Sequence, residues 1–92
     1  IAKALGDKKV AILQNHGILT TGPSVDIALW FYMSMERCCQ AQLMAESAGK
    51  PISVLHETAI KTREFIANDI AAWASYQPAF DKIVKMQPDL LD

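Results

Sequence analysis

The sequence predicts a helix-rich α/β chain, and three observations carry that expectation. Val10-Ala11-Ile12-Leu13 is a continuous apolar run flanked by charge, and Ile18-Leu19-Thr20-Thr21 resumes an extended pattern after a polar interruption. The stretch from Ser24 to Ala48 is apolar around most of a helical circumference. From Glu57 onward, apolar residues recur at helical spacing among charges.

Taken in order, Ile1 to Leu5 reads as a short helical ending stopped by Gly6-Asp7, a turn signal. The run Val10–Leu13 has the length and flanks of a strand buried on both faces. Gln14-Asn15-His16-Gly17 breaks it, so the simplest picture is two strands joined at a polar corner, or one strand bent there. Two strands cannot form a stable sheet alone and need partners that this chain does not obviously supply. Ser24 after Pro23, with Asp26 in the first turn, begins a long helix that Gly49-Lys50-Pro51 ends. At about 100° per residue, Ile27, Phe31, Cys38 and Ala45 share one face, and Glu36, Arg37, Gln40 and Ser47 share the polar arc. Glu57 to Asn68 is an ordinary amphipathic helix. Asn68-Asp69 then caps a last helix from Ile70, which Pro78 should kink or interrupt. Gln87 to Asp92 is a terminal tail.

With 92 residues, 51% hydrophobic and 21% charged, the chain forms one small globular unit. Its 9 basic and 10 acidic side chains give a net charge of −1, so it offers no basic field for nucleic acid. No uncharged apolar run reaches the roughly 18 residues of a membrane span, which removes the membrane from the expected partners. There is neither an initiator Met nor a signal-peptide layout at Ile1-Ala2-Lys3-Ala4, which suggests a piece of a longer chain. A unit this small buries a modest share of its surface, so so much apolar content needs an explanation. The adjacent Cys38 and Cys39 are poorly placed to bridge each other and read as packing residues in a reducing, cytoplasmic compartment.

Chemistry concentrates at the polar corner. His16 stands at the end of a strand, where a side chain is firmly held yet faces a cleft. Its imidazole suits a base or a ligand to Zn²⁺, and Gly17 lets the backbone turn sharply or a ligand approach. The plainer alternative is a hydrogen-bonded loop histidine beside a turn glycine, since one histidine makes no metal site. His56, before Glu57, reads as a surface residue of a helix start. The chain contains no His-x-His, no HExxH, no CxxC and no glycine-rich phosphate loop. Trp73, Tyr76 and Phe80 read as core or interface packing.

The run Val10-Ala11-Ile12-Leu13-Gln14-Asn15-His16-Gly17-Ile18-Leu19-Thr20-Thr21-Gly22 resembles the NHG-L-x-x-G segment of the class II aldolase/adducin family. Val25-Asp26-Ile27-Ala28, Trp30 and Glu36-Arg37-Cys38 look like the helix that follows it, so the resemblance covers about residues 5 to 49. Trp73 to Leu91 is more loosely similar to C-terminal extensions of some fungal or bacterial members. The resemblance implies an α/β/α sandwich on a largely antiparallel central sheet, assembled as a homotetramer. It also implies a divalent metal, commonly zinc, held by three histidines, of which His16 matches the third. The His-x-His pair and the catalytic Glu that the family carries upstream are absent from this chain.

The resulting expectation is that residues 1–92 are the C-terminal part of a single class II aldolase/adducin-like domain, with 50–92 as a helical C-terminal extension. The full-length protein is then expected to be a metal-dependent lyase that stabilises an enolate from a small hydroxylated carbonyl or sugar-derived substrate. The 92 residues alone, with one ligand of three, are not expected to be active. An adducin-like module for oligomerisation and binding, without catalysis, stays open beside this reading. So does a self-contained helical unit.

Overall fold

The computed structural model describes residues 2–92; Ile1, part of the expected first helical segment, lies outside the described residues. The element order is α1 (Ala2–Leu5), β1 (Val10–Leu13), β2 (Gly17–Thr20), α2 (Val25–Ala48), α3 (His56–Ile66), α4 (Asp69–Met86) and a 3-10 turn (Pro88–Leu91). The chain is therefore α/β and helix-rich, with one small antiparallel sheet. Among the described residues no helix is long and apolar enough to cross a membrane.

β1 and β2 pair as a hairpin in the register Val10↔Thr20, Ala11↔Leu19, Ile12↔Ile18 and Leu13↔Gly17. Of the two pictures the sequence allowed, two strands joined at a polar corner is the one formed. Burial on both faces, expected from the sequence, is not achieved among the described residues. Val10, Ala11 and Leu13 are half-buried, but Ile12 is 66% exposed because no layer covers its side of the sheet.

Capping explains the boundaries of the helices. The Ser24 side chain accepts from the Ile27 amide at the start of α2, and the Gly49 amide donates to the Ala45 carbonyl at its end. Asn68 serves two helices at once. Its Oδ1 accepts from the Ala71 amide at 2.8 Å, capping α4, while its Nδ2 donates to the carbonyls of Glu64 and Phe65 at the end of α3. One side chain thereby satisfies orphan groups of both polarities at a sharp helix–helix corner.

Of the two outcomes expected at Pro78, a kink or an interruption, the second does not occur: α4 continues through it. The residue one turn back, Ala74, lies on the exposed side, so water can serve the carbonyl that loses its helical donor. In the same turn the Gln77 side-chain amide donates to the Trp73 carbonyl at 3.1 Å.

The interior is small. Ile27 and Phe31 of α2 and Ala72 of α4 are buried, and Val10 and Trp30 pack against them. α2 contributes only its first part to this core. Residues 40–48 are all exposed, and so are Cys38 and Ala45, which the helical face placed beside Ile27 and Phe31. The chain exposes 7722 Å², against about 5,300 Å² for a compact monomer of its mass. Its radius of gyration is 15.5 Å, against about 12 Å for a compact chain of this length. Ile52, Phe65 and Ile70 are each more than four-fifths exposed.

Two stability outcomes follow from this packing. A Cβ built on Gly22 would lie 2.9 Å from Ile27 Cγ2 and 3.1 Å from the Ala28 backbone nitrogen. Gly22→Ala should therefore cost about 1–2 kcal/mol in urea unfolding, because backbone must shift to admit the methyl. Asn68→Ala should cost about 1–2 kcal/mol, and Asn68→Asp, which keeps the acceptor but loses the donor, should fall between it and the natural protein.

Candidate functional site

The hairpin of β1 and β2 is anchored at its root and open at its tip. At the root, the Thr21 amide donates to the Lys9 carbonyl at 3.0 Å, closing the base of the hairpin. Thr20 Oγ1 donates to the Ala28 carbonyl at 2.8 Å and clamps β2 to the first turns of α2. Lys9 binds the root from the other side. Its ammonium donates to the Ala67 carbonyl, lies 3.7 Å from Asp69 Oδ1 and sits 5.0 Å from the centroid of the Phe31 ring. A half-exposed cation over an aromatic face is worth about 0.5–1 kcal/mol, and an exposed ion pair no more. Together they tie the β1 root to α2 and to the α3–α4 corner. Gln77 Nε2 donates to Asp26 Oδ2 at 3.1 Å, joining α4 to the first turn of α2.

At the tip, Gln14, Asn15 and His16 make the reversal, and all three are exposed. The His16 amide donates to the Leu13 carbonyl at 3.1 Å, closing a four-residue turn. Asn15, third in that turn, has φ 62°, and Gly17 has φ 135°. A positive φ at the third position is what a type II turn requires, and Gly or Asn supplies it most readily. His16 thus stands between two residues of left-handed φ, its imidazole open to whatever faces the hairpin end.

The other residues singled out in the sequence do not join it. His56 is the exposed first residue of α3. Cys38 is exposed and Cys39 half-buried on α2; both are free thiols, and with Met35, Gln42 and Leu43 they line an open groove of about 420 Å³. Tyr76 and Phe80 face each other at 6.5 Å between ring centroids, tilted by 45°, while Trp73 is half-exposed. A larger open cleft of about 830 Å³ runs between the hairpin root and the α3–α4 corner, lined by both signs of charge from Lys8, Lys9, Arg63, Glu64 and Asp69 among others. Lys9, which the sequence presented only as a flank of the strand, is its central member.

Among the described residues no three His, Cys, Asp or Glu side chains gather closely enough to hold a metal ion. His16 can offer one imidazole nitrogen, whereas a catalytic zinc site takes three protein ligands. By its chemistry His16 could contribute one ligand to a metal, and the described residues do not by themselves complete a site. Asn15 stands in the polar corner and the NHG segment read from the sequence, but the sequence assigns it no role of its own; the signal is its position before His-Gly, since Asn adopts left-handed φ more readily than most residues with a side chain.

Residues 1–43 match the family described as Class II Aldolase and Adducin N-terminal domain. The decarboxylase NovR of Streptomyces niveus is 38% identical over 90 residues, 98% of this chain and 33% of that protein. The 4-hydroxy-3-prenylphenylpyruvate oxygenase/4-hydroxy-3-prenylbenzoate synthase of Streptomyces roseochromogenus subsp. oscitans is 36% identical over 98% of this chain and 32% of its own length. The chain thus spans about a third of the length of these curated relatives. In structure it superposes on the L-fuculose 1-phosphate aldolase from Glaciozyma antarctica PI12 with a TM-score of 0.91 and 36% identity, covering 96% of this chain and 35% of that one. Hairpin, long helix and C-terminal helices all take part in that match, and the chain belongs to the class II aldolase and adducin family.

Proposed function

We propose that this chain is part of a divalent-metal-dependent lyase, with zinc as the metal and a small hydroxylated carbonyl or sugar-derived compound as the substrate. The observation that carries the proposal is His16, exposed at the tip of an anchored hairpin inside the segment that matches the family. His16 would hold the metal through one neutral imidazole nitrogen. The other ligands and the catalytic acid/base would come from outside these 92 residues, and residues 50–92 would be a helical C-terminal extension of the same domain. A divalent ion, when bound, supplies Lewis-acid stabilisation of negative charge developing on a carbonyl-derived oxygen. The contribution of this chain is positional. The clamps at Lys9 and Thr20 fix the strand that leads to His16, so that its nitrogen need not be ordered at the moment of binding.

The names of relatives bear on the reaction. One is a decarboxylase, another an oxygenase/synthase, and the structural neighbour is a sugar-phosphate aldolase. Decarboxylation and aldol cleavage both break a carbon–carbon bond and leave an electron pair beside a carbonyl group. A site that stabilises an enolate serves either, so decarboxylation stands as a second reading within the same chemistry. The apolar surface left open on α2, α3 and the sheet supports a homotetramer in which the rest of the domain and neighbouring subunits cover it. The free thiols Cys38 and Cys39 support a cytoplasmic setting.

The test is metal content. Full-length protein purified with zinc should lose bound metal on His16→Ala, with at least a tenfold weaker affinity by chelator competition, while the melt of the metal-free protein stays unchanged because the side chain is exposed. Metal content equal to that of the natural protein would refute the assignment. Light scattering on the same protein should give the mass of four chains.

A further inference from the structure

We infer that Asn15 is a positioning residue for His16, acting through its backbone conformation and not through its side-chain amide. The inference rests on His16 serving as a metal ligand. Three observations support it. First, φ is 62° at Asn15 and 135° at Gly17, so the histidine is held between two residues in conformations that L side chains rarely adopt. Second, nothing lies within 4 Å of a Cβ built on Gly17. Glycine there answers the demand of the backbone and not a lack of room. Third, the tip and the root of the hairpin are held very differently. Beyond the strand ladder, the root carries the Thr21–Lys9, Thr20–Ala28 and Lys9–Ala67 hydrogen bonds, whereas the exposed turn carries the His16–Leu13 backbone bond and no side-chain bond among the described residues.

The consequence is a local equilibrium at the tip. A residue that resists left-handed φ at position 15 lets the turn relax while the root stays in place, and His16 moves with the turn. The competent fraction of the metal-free protein then falls, and apparent affinity falls with it. Glycine at position 15 pays no such penalty, because it has no Cβ. Alanine and glycine both remove the Asn amide and differ in whether φ near 62° is strained, so the pair separates backbone from side chain.

The experiment measures zinc affinity by chelator competition, together with the visible spectrum of the cobalt(II)-loaded protein, for full-length natural protein, Asn15→Gly, Asn15→Ala and His16→Ala. Asn15→Gly should bind zinc within about threefold of the natural protein and keep its cobalt spectrum. Asn15→Ala should bind roughly tenfold more weakly, in line with the cost of left-handed φ, and show a shifted spectrum. Its global melt should stay within a few degrees, because the turn is exposed. Equal weakening in the Gly and Ala variants would overturn the inference in favour of the Asn amide. Natural affinity in both, with metal lost in His16→Ala, would overturn it while leaving the ligand role of His16 intact. Metal retained in His16→Ala would remove the ligand role itself, and the positioning role with it.

Discussion

Ile27 and Phe31 lie one turn apart on α2, and their contact with Ala72 of α4 is the interior on which everything else depends. Ala72 is fully buried, and its small side chain allows the two helices to approach closely. Val10 and Trp30 border the same contact, so the first strand and the two long helices share one dry centre. Around it, polar groups do what apolar area cannot. Lys9 reaches across from β1 to the Phe31 ring, the Ala67 carbonyl and Asp69, and Gln77 reaches from α4 to Asp26. Without the apolar contact these side chains would have nothing fixed to join. Without them the hairpin would be held to the helices by Val10 and by the Thr20 clamp of β2 on α2.

On the proposal that His16 is a metal ligand, a hairpin with a fixed root and an open tip suits the task. A metal ligand must be placed accurately while remaining accessible to ligands from elsewhere. Burial would give accuracy at the expense of access. Here accuracy would come from the clamps below and from the constrained turn itself, and access from the exposure of Gln14, Asn15 and His16. Membership of the class II aldolase and adducin family is consistent with that division of labour.

The large exposed area follows from the same facts. A three-residue interior cannot cover a 24-residue helix, and α2 leaves the core after about its first half. Ile12 on the sheet, Leu43 and Met44 on α2, and Phe65 and Ile70 at the α3–α4 corner are all open. A solved relative about three times the length of this chain shares its fold in this region.

Local rules were enough for much of this. The apolar run at Val10–Leu13, the Ser24 cap, the Gly49 stop and the Asn68 cap each depend on a few neighbouring residues, so strands and helices could be read with their ends nearly in place. The family likeness of the segment around His16 was also legible, because it is a matter of residue type and order. Tertiary structure decided what depends on distant partners. It left one side of β1 open and exposed Cys38 and Ala45, because no element among the described residues reaches them. It let α4 run through Pro78, because the carbonyl that lost its donor faces water. It also gave Lys9 its role, through contacts with residues 22 to 60 positions away that no local pattern could announce.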